Sequence, residues 1–277
     1  MPRPLADLPP LREVIARHGL LAKKSLGQHF LLDLNLTRRI AAAAGNLSGV
    51  MAIEIGPGPG GLTRALLETE ADKVVVIEKD RRCIGALEEL AASAEGRLKI
   101  VEGDALQIDV AALAKGPRAI VANLPYNIGT ELLLKWLKDI DRFRSLTLMF
   151  QAEVAARIAA RPGIKAYGRL SVIAQFCCHV EQVLEVPARA FTPPPKVDSA
   201  VVHLTPRRER PKDLRWEAIE KVTAAGFGQR RKMLRSSLKP LGGETLLRHA
   251  GIDPALRAEN LSVGDFEKLA RRIAAGD

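Results

Sequence analysis

Short apolar runs alternate with longer stretches whose apolar side chains recur at helical spacing. The runs lie at 51–55, 73–77, 98–101, 119–122 and 146–150, and the segments between them are rich in Ala and Leu. Runs of this length bounded by polar residues read as buried strands. Alternating strands and helices predict a parallel sheet with helices on both faces. Upstream, residues 10–18 read as a short helix, and 23–33 as a loop leading into a helix over 34–44. Downstream, 183–186 and 200–204 read as two more strands flanking a proline-rich loop at 192–195. From 205 the pattern becomes helical, which divides the chain into a domain over 1–205 and a small domain over 206–277.

Composition narrows the partner. The chain has 277 residues, 47% of them apolar, enough for one large core and a small one. Its 42 Lys and Arg exceed its 32 Asp and Glu, for a net charge of +10. The segment 206–277 holds 16 basic against 10 acidic residues, and so most of that excess. A polyanion is the expected partner. A membrane surface is the competing explanation, but no long apolar stretch or basic amphipathic anchor stands out. The N-terminal residues lack the apolar centre of a signal peptide, and Asp7 and Glu13 argue against a transit peptide. Cys83, Cys177 and Cys178 form no C-x-x-C pair, which suits a reducing cytoplasm. The five histidines show no metal-binding spacing, so no metal is expected.

Candidate chemistry gathers where the runs end. Glu54-Ile55-Gly56-Pro57-Gly58-Pro59-Gly60-Gly61 follows the first run of the alternating series and precedes a helical pattern. Gly56, Gly58 and Gly61 satisfy the dinucleotide fingerprint G-x-G-x-x-G. Glu54, Gly56, Gly58 and Gly60 equally satisfy E-x-G-x-G-x-G, which resembles the first motif of class I methyltransferases. Either way the backbone can approach a nucleoside-containing cofactor. Glu78, ending the second run, can accept from two ribose hydroxyls, or be a solvated strand-end carboxylate. Asp104, past the third, can accept from the exocyclic amine of a cofactor adenine. After the fourth stands Asn123-Leu124-Pro125-Tyr126. The N6 of adenine is a poor nucleophile because its lone pair is delocalised into the ring. An Asn side-chain oxygen and the Leu124 carbonyl can accept its two hydrogens and free that lone pair, while Tyr126 stacks on the base. The plainer reading is a turn closed by Pro125, with Tyr126 as packing.

These strings, taken together, resemble the ribosomal RNA adenine dimethyltransferases, specifically the bacterial KsgA branch. The resemblance covers nearly the whole chain. It includes Gly27-Gln28-His29-Phe30-Leu31, the glycine loop, Glu78, Asp104, Asn123-Leu124-Pro125-Tyr126 and Gln151-Ala152-Glu153-Val154. It continues through Lys165-Ala166-Tyr167-Gly168-Arg169-Leu170-Ser171, then Phe191-Thr192-Pro193-Pro194-Pro195-Lys196-Val197-Asp198-Ser199 and Phe227-Gly228-Gln229-Arg230-Arg231-Lys232. The glycine loop is weakly specific, and the string from Phe191 to Ser199 highly so.

The resemblance implies a Rossmann-like class I methyltransferase domain with a small C-terminal helical domain. The implied cofactor is S-adenosylmethionine, leaving as S-adenosylhomocysteine. His29, Leu31, Gly56, Glu78, Asp104 and Asn123 would contact it, with His29 standing where the family most often has Asn. Asn123, Leu124, Tyr126 and Phe191 would serve the reaction, the two rings holding the target base between them. The implied activity is N6,N6-dimethylation of two adjacent adenosines in the 3′-terminal hairpin of 16S rRNA, in the small ribosomal subunit. A monomer is expected. Arg231, Arg235 and Lys239, at spacing four, are expected on one helix face; Arg207, Arg208, Arg210 and Lys212 form a second basic cluster. Both are solvated faces or phosphate contacts. Three other readings stay open: an Erm-type enzyme acting on 23S rRNA, an assembly factor whose binding matters most, and a nicotinamide oxidoreductase. The last would need a hydride-handling side chain near the fourth strand, which Asn123-Leu124-Pro125-Tyr126 does not supply.

Overall fold

The computed structural model describes residues 5–23, 27–113, 115–211 and 213–275. A helix, α1 (Leu11–Arg17), a two-residue strand, β1 (Phe30–Leu31), and α2 (Leu34–Ala42) come first. Asp33 caps α2, its carboxylate accepting from the amides of Asn35 and Leu36. Then β2 (Met51–Ile55), α3 (Gly61–Leu67), β3 (Lys73–Glu78), α4 (Arg81–Ala92), β4 (Leu98–Glu102), β5 (Arg118–Asn123), α5 (Gly129–Lys138) and β6 (Ser145–Gln151) alternate. Each of the five expected strands is present, within a residue of its expected ends.

The chain continues through α6 (Ala152–Ala159), α7 (Arg169–Cys177), β7 (Cys178–Val186), β8 (Phe191–Thr192) and β9 (Ser199–Pro206). The main sheet has seven strands in the order β4-β3-β2-β5-β6-β9-β7. Strands β2 to β6 pair in parallel, and β9 runs antiparallel to β6. Parallel strands covered on both faces must be apolar throughout, and Ala119, Ile120, Val121 and Ala122 of β5 are all fully buried. From β2 the chain steps outward through β3 and β4, then returns to lay β5 and β6 on the other flank. The crevice at the carboxyl ends of β2 and β5 is therefore the switch point at which such sheets bind ligands.

Three stretches differ from the sequence expectation. Residues 23–33 and 192–195 were expected as loops, yet Phe30 pairs with Thr192 and Leu31 with Phe191 in a small antiparallel sheet. Strands of two residues have no internal periodicity to betray them. The strand expected over 183–186 begins at Cys178, because its amino-terminal half is half-exposed and mixed in polarity.

By internal contacts the chain forms two compact units, Met1–Ala155 with Glu181–Thr205, and Ala156–Val180 with Pro206–Asp277. The second thus draws on residues before 205 as well as after. It contains α7, α8 (Trp216–Gly228), α9 (Leu234–Ser237), α10 (Gly243–His249) and α11 (Val263–Ala275). Its core includes an aromatic series: Tyr167 meets Phe227 edge-on at 6.0 Å and Phe227 stacks on Phe266 at 5.5 Å. Arg230 donates to the carbonyls of Lys165 and Tyr167 and pairs with Glu259.

The basic stripe does not take the form expected. Helix α8 ends at Gly228, Arg231 lies in the turn that follows, Arg235 in the four-residue α9, and Lys239 in a 3-10 turn. The three are exposed but share no single helix face. The break arises because the amides of Leu234 and Arg235 donate to the carbonyls of Leu256 and Pro254. In the other cluster Arg207 is a brace, paired with Glu209 and Glu267 and donating to the Gln175 carbonyl. Lys212 lies outside the described residues.

Candidate active site

A cavity opens at the switch point, lined by the glycine loop, the ends of β3, β4 and β5, and the segment 27–31. The glycines are required by backbone shape. Gly56 and Gly58 adopt φ of 65° and 55°, left-handed conformations that side chains disfavour. A Cβ on Gly61 would stand 2.6 Å from the Leu31 carbonyl, so β1 closes directly over the loop.

Two buried carboxyls stand behind that loop. Glu54 is 2% exposed and accepts a 2.6 Å hydrogen bond from the Thr63 hydroxyl. Burial, with Glu78 nearby, pushes its pKa up to about 8. Glu78 is 5% exposed, which removes the solvated reading. Its carboxylate accepts from the Gly58 amide at 2.9 Å and the Asp80 amide at 2.7 Å. Burial raises its pKa, with the backbone donors opposing. Asp80, the N-cap of α4, is held down at about 2 chiefly by the Arg82 guanidinium; Gln28 donates to it at 2.9 Å, tying the segment before β1 to the end of β3. Asp104 accepts from Lys79 Nζ at 2.8 Å and from the Leu106 amide at 2.9 Å, and the Lys79 contact is the main cause of its lowered pKa.

Asn123 is the last residue of β5 and lines the cavity. Its Nδ2 donates to the His29 carbonyl at 3.2 Å, and its Oδ1 accepts no hydrogen bond from a described residue. Leu124 is buried, and its carbonyl accepts no hydrogen bond from a described residue, whereas the neighbouring Pro125 carbonyl caps α5. Tyr126 is half-buried, its hydroxyl 2.6 Å from Ser199 Oγ. Its ring lies against the His29 imidazole, centroids 5.6 Å apart and planes 28° apart. His29 Nδ1 in turn bonds to the Pro193 carbonyl at 2.8 Å.

The structure brings His29, Leu31, Gly56, Glu78, Asp104, Asn123, Leu124 and Tyr126 to one cavity wall or another. Phe191 is placed otherwise. It is 2% exposed, belongs to the main hydrophobic core, and meets His29 edge-on at 6.4 Å. Residues not singled out from sequence complete the site: Thr63, Asp80, Gln28 and Ser199. Asp80 could have been found as a polar cap opening the helix after β3. Ser199 carries no such local signal. No cluster of three or more metal-ligating side chains exists among the described residues, and none of their helices is long and apolar enough to cross a membrane.

A parallel sheet with its switch point, a left-handed glycine cradle and a buried carboxylate at the end of the next strand define a Rossmann-like fold built to hold a nucleoside-containing cofactor. The family model for ribosomal RNA adenine dimethylase matches residues 19–275, and the chain belongs to that family. It is 59% identical to ribosomal RNA small subunit methyltransferase A of Rhodospirillum rubrum, over 97% of this chain and 93% of that one. To the protein of that name from Paramagnetospirillum magneticum it is 60% identical, over 98% and 97%. Among solved structures it resembles a dimethyladenosine transferase from Plasmodium falciparum, with a TM-score of 0.78 and 28% identity over 89% of this chain and 98% of that one. It also resembles the 23S rRNA methyltransferase ErmE, with a TM-score of 0.69 and 27% identity over 88% and 99%.

Proposed function

We infer that the protein dimethylates N6 of two adjacent adenosines in the 3′-terminal hairpin of 16S rRNA, within the small ribosomal subunit, using S-adenosylmethionine. The observation that carries this reading is Asn123 at the switch point: its amide is tied to His29, and its oxygen, like the adjacent Leu124 carbonyl, accepts no hydrogen bond from a described residue. Two acceptors side by side suit an amine with two hydrogens. The relatives near 60% identity bear the small-subunit name, which favours 16S over 23S rRNA.

The residues present fit the cofactor. The glycine cradle gives its backbone room, Glu78 would hold the ribose, Asp104 the adenine, and His29, Leu31 and Gly56 the remainder. When bound, the cofactor supplies a methyl already activated on a sulfonium. The chain supplies alignment. Asn123 Oδ1 and the Leu124 carbonyl accept from the target amine, and Tyr126 stacks on its ring, worth roughly 1–3 kcal/mol. Phe191 lies behind that slot, separated from Tyr126 by the His29 imidazole, which stacks on Tyr126 and meets Phe191 edge-on. No side chain is assigned as general base, because the methylated amine is itself acidic.

The net charge of +10 supports an RNA partner, and exposed Arg231, Arg235 and Lys239 are proposed as phosphate contacts. We place the protein, as a monomer, in the cytoplasm with its substrate; its three cysteines are buried. The test is transfer of labelled methyl to small subunits that lack the modification, with modified small subunits and large subunits as controls. Label in two adjacent adenosines of the 16S hairpin is the expected result. Label in 23S rRNA would move the chain to the Erm reading, and tight subunit binding without label to the assembly-factor reading.

A further inference from the structure

The loop that carries Asp104 is held from outside the cofactor cavity by one lysine. Lys135 lies on α5, the helix that follows Asn123-Leu124-Pro125-Tyr126. Its ammonium donates to the carbonyls of Ala105 at 3.0 Å, Leu106 at 2.6 Å and Ile108 at 2.8 Å. An ammonium has three hydrogens, and a single loop takes all of them.

That loop is one tight turn. The Asp104 carbonyl accepts from the amides of Gln107 at 2.9 Å and Ile108 at 3.1 Å, while its side chain accepts from the Leu106 amide. Such a turn aims its last carbonyls in one direction, where the negative end of their dipoles favours a cation. Gly103 packs against the end of the turn: a Cβ there would lie 2.8 Å from Ile108 Cδ1, which would have to shift. Asp104, Ala105 and Leu106 all line the cavity. Two cations flank the turn, Lys135 behind it and Lys79, paired with Asp104, in front; Asp109, just past it, pairs with Arg142.

We propose that Lys135 is a positioning residue for the cofactor's adenine: by capping the turn from α5 it fixes the Asp104 carboxylate where the adenine amine is read. The proposal rests on Asp104 reading the adenine. Lys135 touches no ligand itself. It also joins the cofactor turn to the helix that issues from the target-side motif, so the two sides of the cavity share one anchor.

The test compares binding of S-adenosylhomocysteine with its deaminated form, S-inosylhomocysteine, by calorimetry. The two differ at position 6, where oxygen replaces the amino group, and at the adjacent N1, which gains a hydrogen. A carboxylate accepts from the amine and repels the oxygen, so the wild-type protein should prefer adenine by about tenfold or more. Lys135→Met should bind S-adenosylhomocysteine about tenfold more weakly and lower that preference to about twofold, because the ribose and amino-acid contacts lie elsewhere. Asp104→Asn serves as reference and should lose the preference as well. A merely structural lysine would lower stability, read by thermal melt, and leave the base preference alone. Should Lys135→Met not fold, Lys135→Gln is read in the same way. A folded Lys135 variant with the wild-type preference overturns the proposal while the Asp104 reading stands. A wild-type protein that does not discriminate, or an Asp104→Asn variant that keeps the full wild-type preference, overturns both.

Discussion

Along the cofactor side of the cavity Glu54, Glu78 and Asp104 sit at or just beyond the end of a strand, and each has a partner close in sequence. Thr63 lies nine residues from Glu54, Gly58 twenty from Glu78, and Lys79 twenty-five from Asp104. The target side is assembled from distant segments: Tyr126 and Ser199 are 73 residues apart, Asn123 and His29 are 94, and His29 and Pro193 are 164. The first arrangement is set by the sheet. The second exists only when β1, β8 and β9 are docked. Changes on the cofactor side should therefore appear in ligand affinity, and changes on the target side in turnover.

The sharpest test of that division is Asn123, proposed to serve both sides. Replacing it with Ala removes one positioned acceptor, and such losses cost about 10²–10³ in rate. Turnover on unmodified small subunits should fall by that factor, while S-adenosylmethionine affinity by calorimetry changes much less. A comparable drop in both would place Asn123 with the cofactor alone. Glu78→Ala should give the opposite pattern. Loss of a charged acceptor worth roughly 1.5–3 kcal/mol predicts cofactor binding weaker by about 10–100-fold. Unchanged affinity in a folded variant would mean that the ribose is held elsewhere.

The cofactor side also carries a stability cost that pH exposes. Glu54 titrates near 4.5 when unfolded and at about 8 in the fold, because burial penalises its charge. Between those values the folded state holds a proton that the unfolded state releases. Its contribution is complete below about 4.5 and is lost as pH rises through about 8, at up to ~1.4 kcal/mol per pH unit. Glu78, also raised, acts with the same sign. Asp80, depressed to about 2, acts with the opposite sign and in acid, where its contribution is lost as pH falls. Glu54→Gln keeps an acceptor for Thr63 and should be less sensitive than wild type between pH 6 and 8. Urea midpoints at the two pH values read the difference directly, and parallel slopes would mean that Glu54 is charged in the fold.

The same division governs what could be read from the sequence. The five central strands and the residues at their ends were legible because a buried parallel strand is a short apolar run, and a sheet places chemistry where runs stop. The pair β1 and β8 was not, since Phe30 and Thr192 carry no periodic signal and find each other only across 162 positions of chain. Phe191 was legible as a ring in a distinctive string, but its burial behind His29 was not. Lys135 looks like any helix-surface lysine until the turn it caps is in place. The failed helix stripe of Arg231, Arg235 and Lys239 shows the converse: spacing of four is only a face if the helix continues, and it stops at Gly228.

The smallest expected effect probes the longest-range feature of the target side. Ser199 Oγ is buried at the start of β9 and bonds the Tyr126 hydroxyl, so the string from Phe191 to Ser199 reaches the stacking ring at its far end. Ser199→Ala removes a neutral hydrogen bond of about 0.5–1.5 kcal/mol and leaves a half-buried phenol to find another partner. Turnover should fall roughly 2–10-fold by the same free energy, with S-adenosylmethionine affinity within error of wild type, because no cofactor contact is altered. The phenol gives a second readout. Burial raises its pKa and the Ser199 bond opposes that rise, so Ser199→Ala should move its ultraviolet titration further up. The chain has only two tyrosines, and the other, Tyr167, is fully buried in the second unit with its own pKa raised, so the Tyr126 signal stands apart. Reduced turnover with an unmoved phenol would assign the effect to β9 packing rather than to the ring. An equal loss in cofactor affinity would show that the two sides of the cavity are not separable at all.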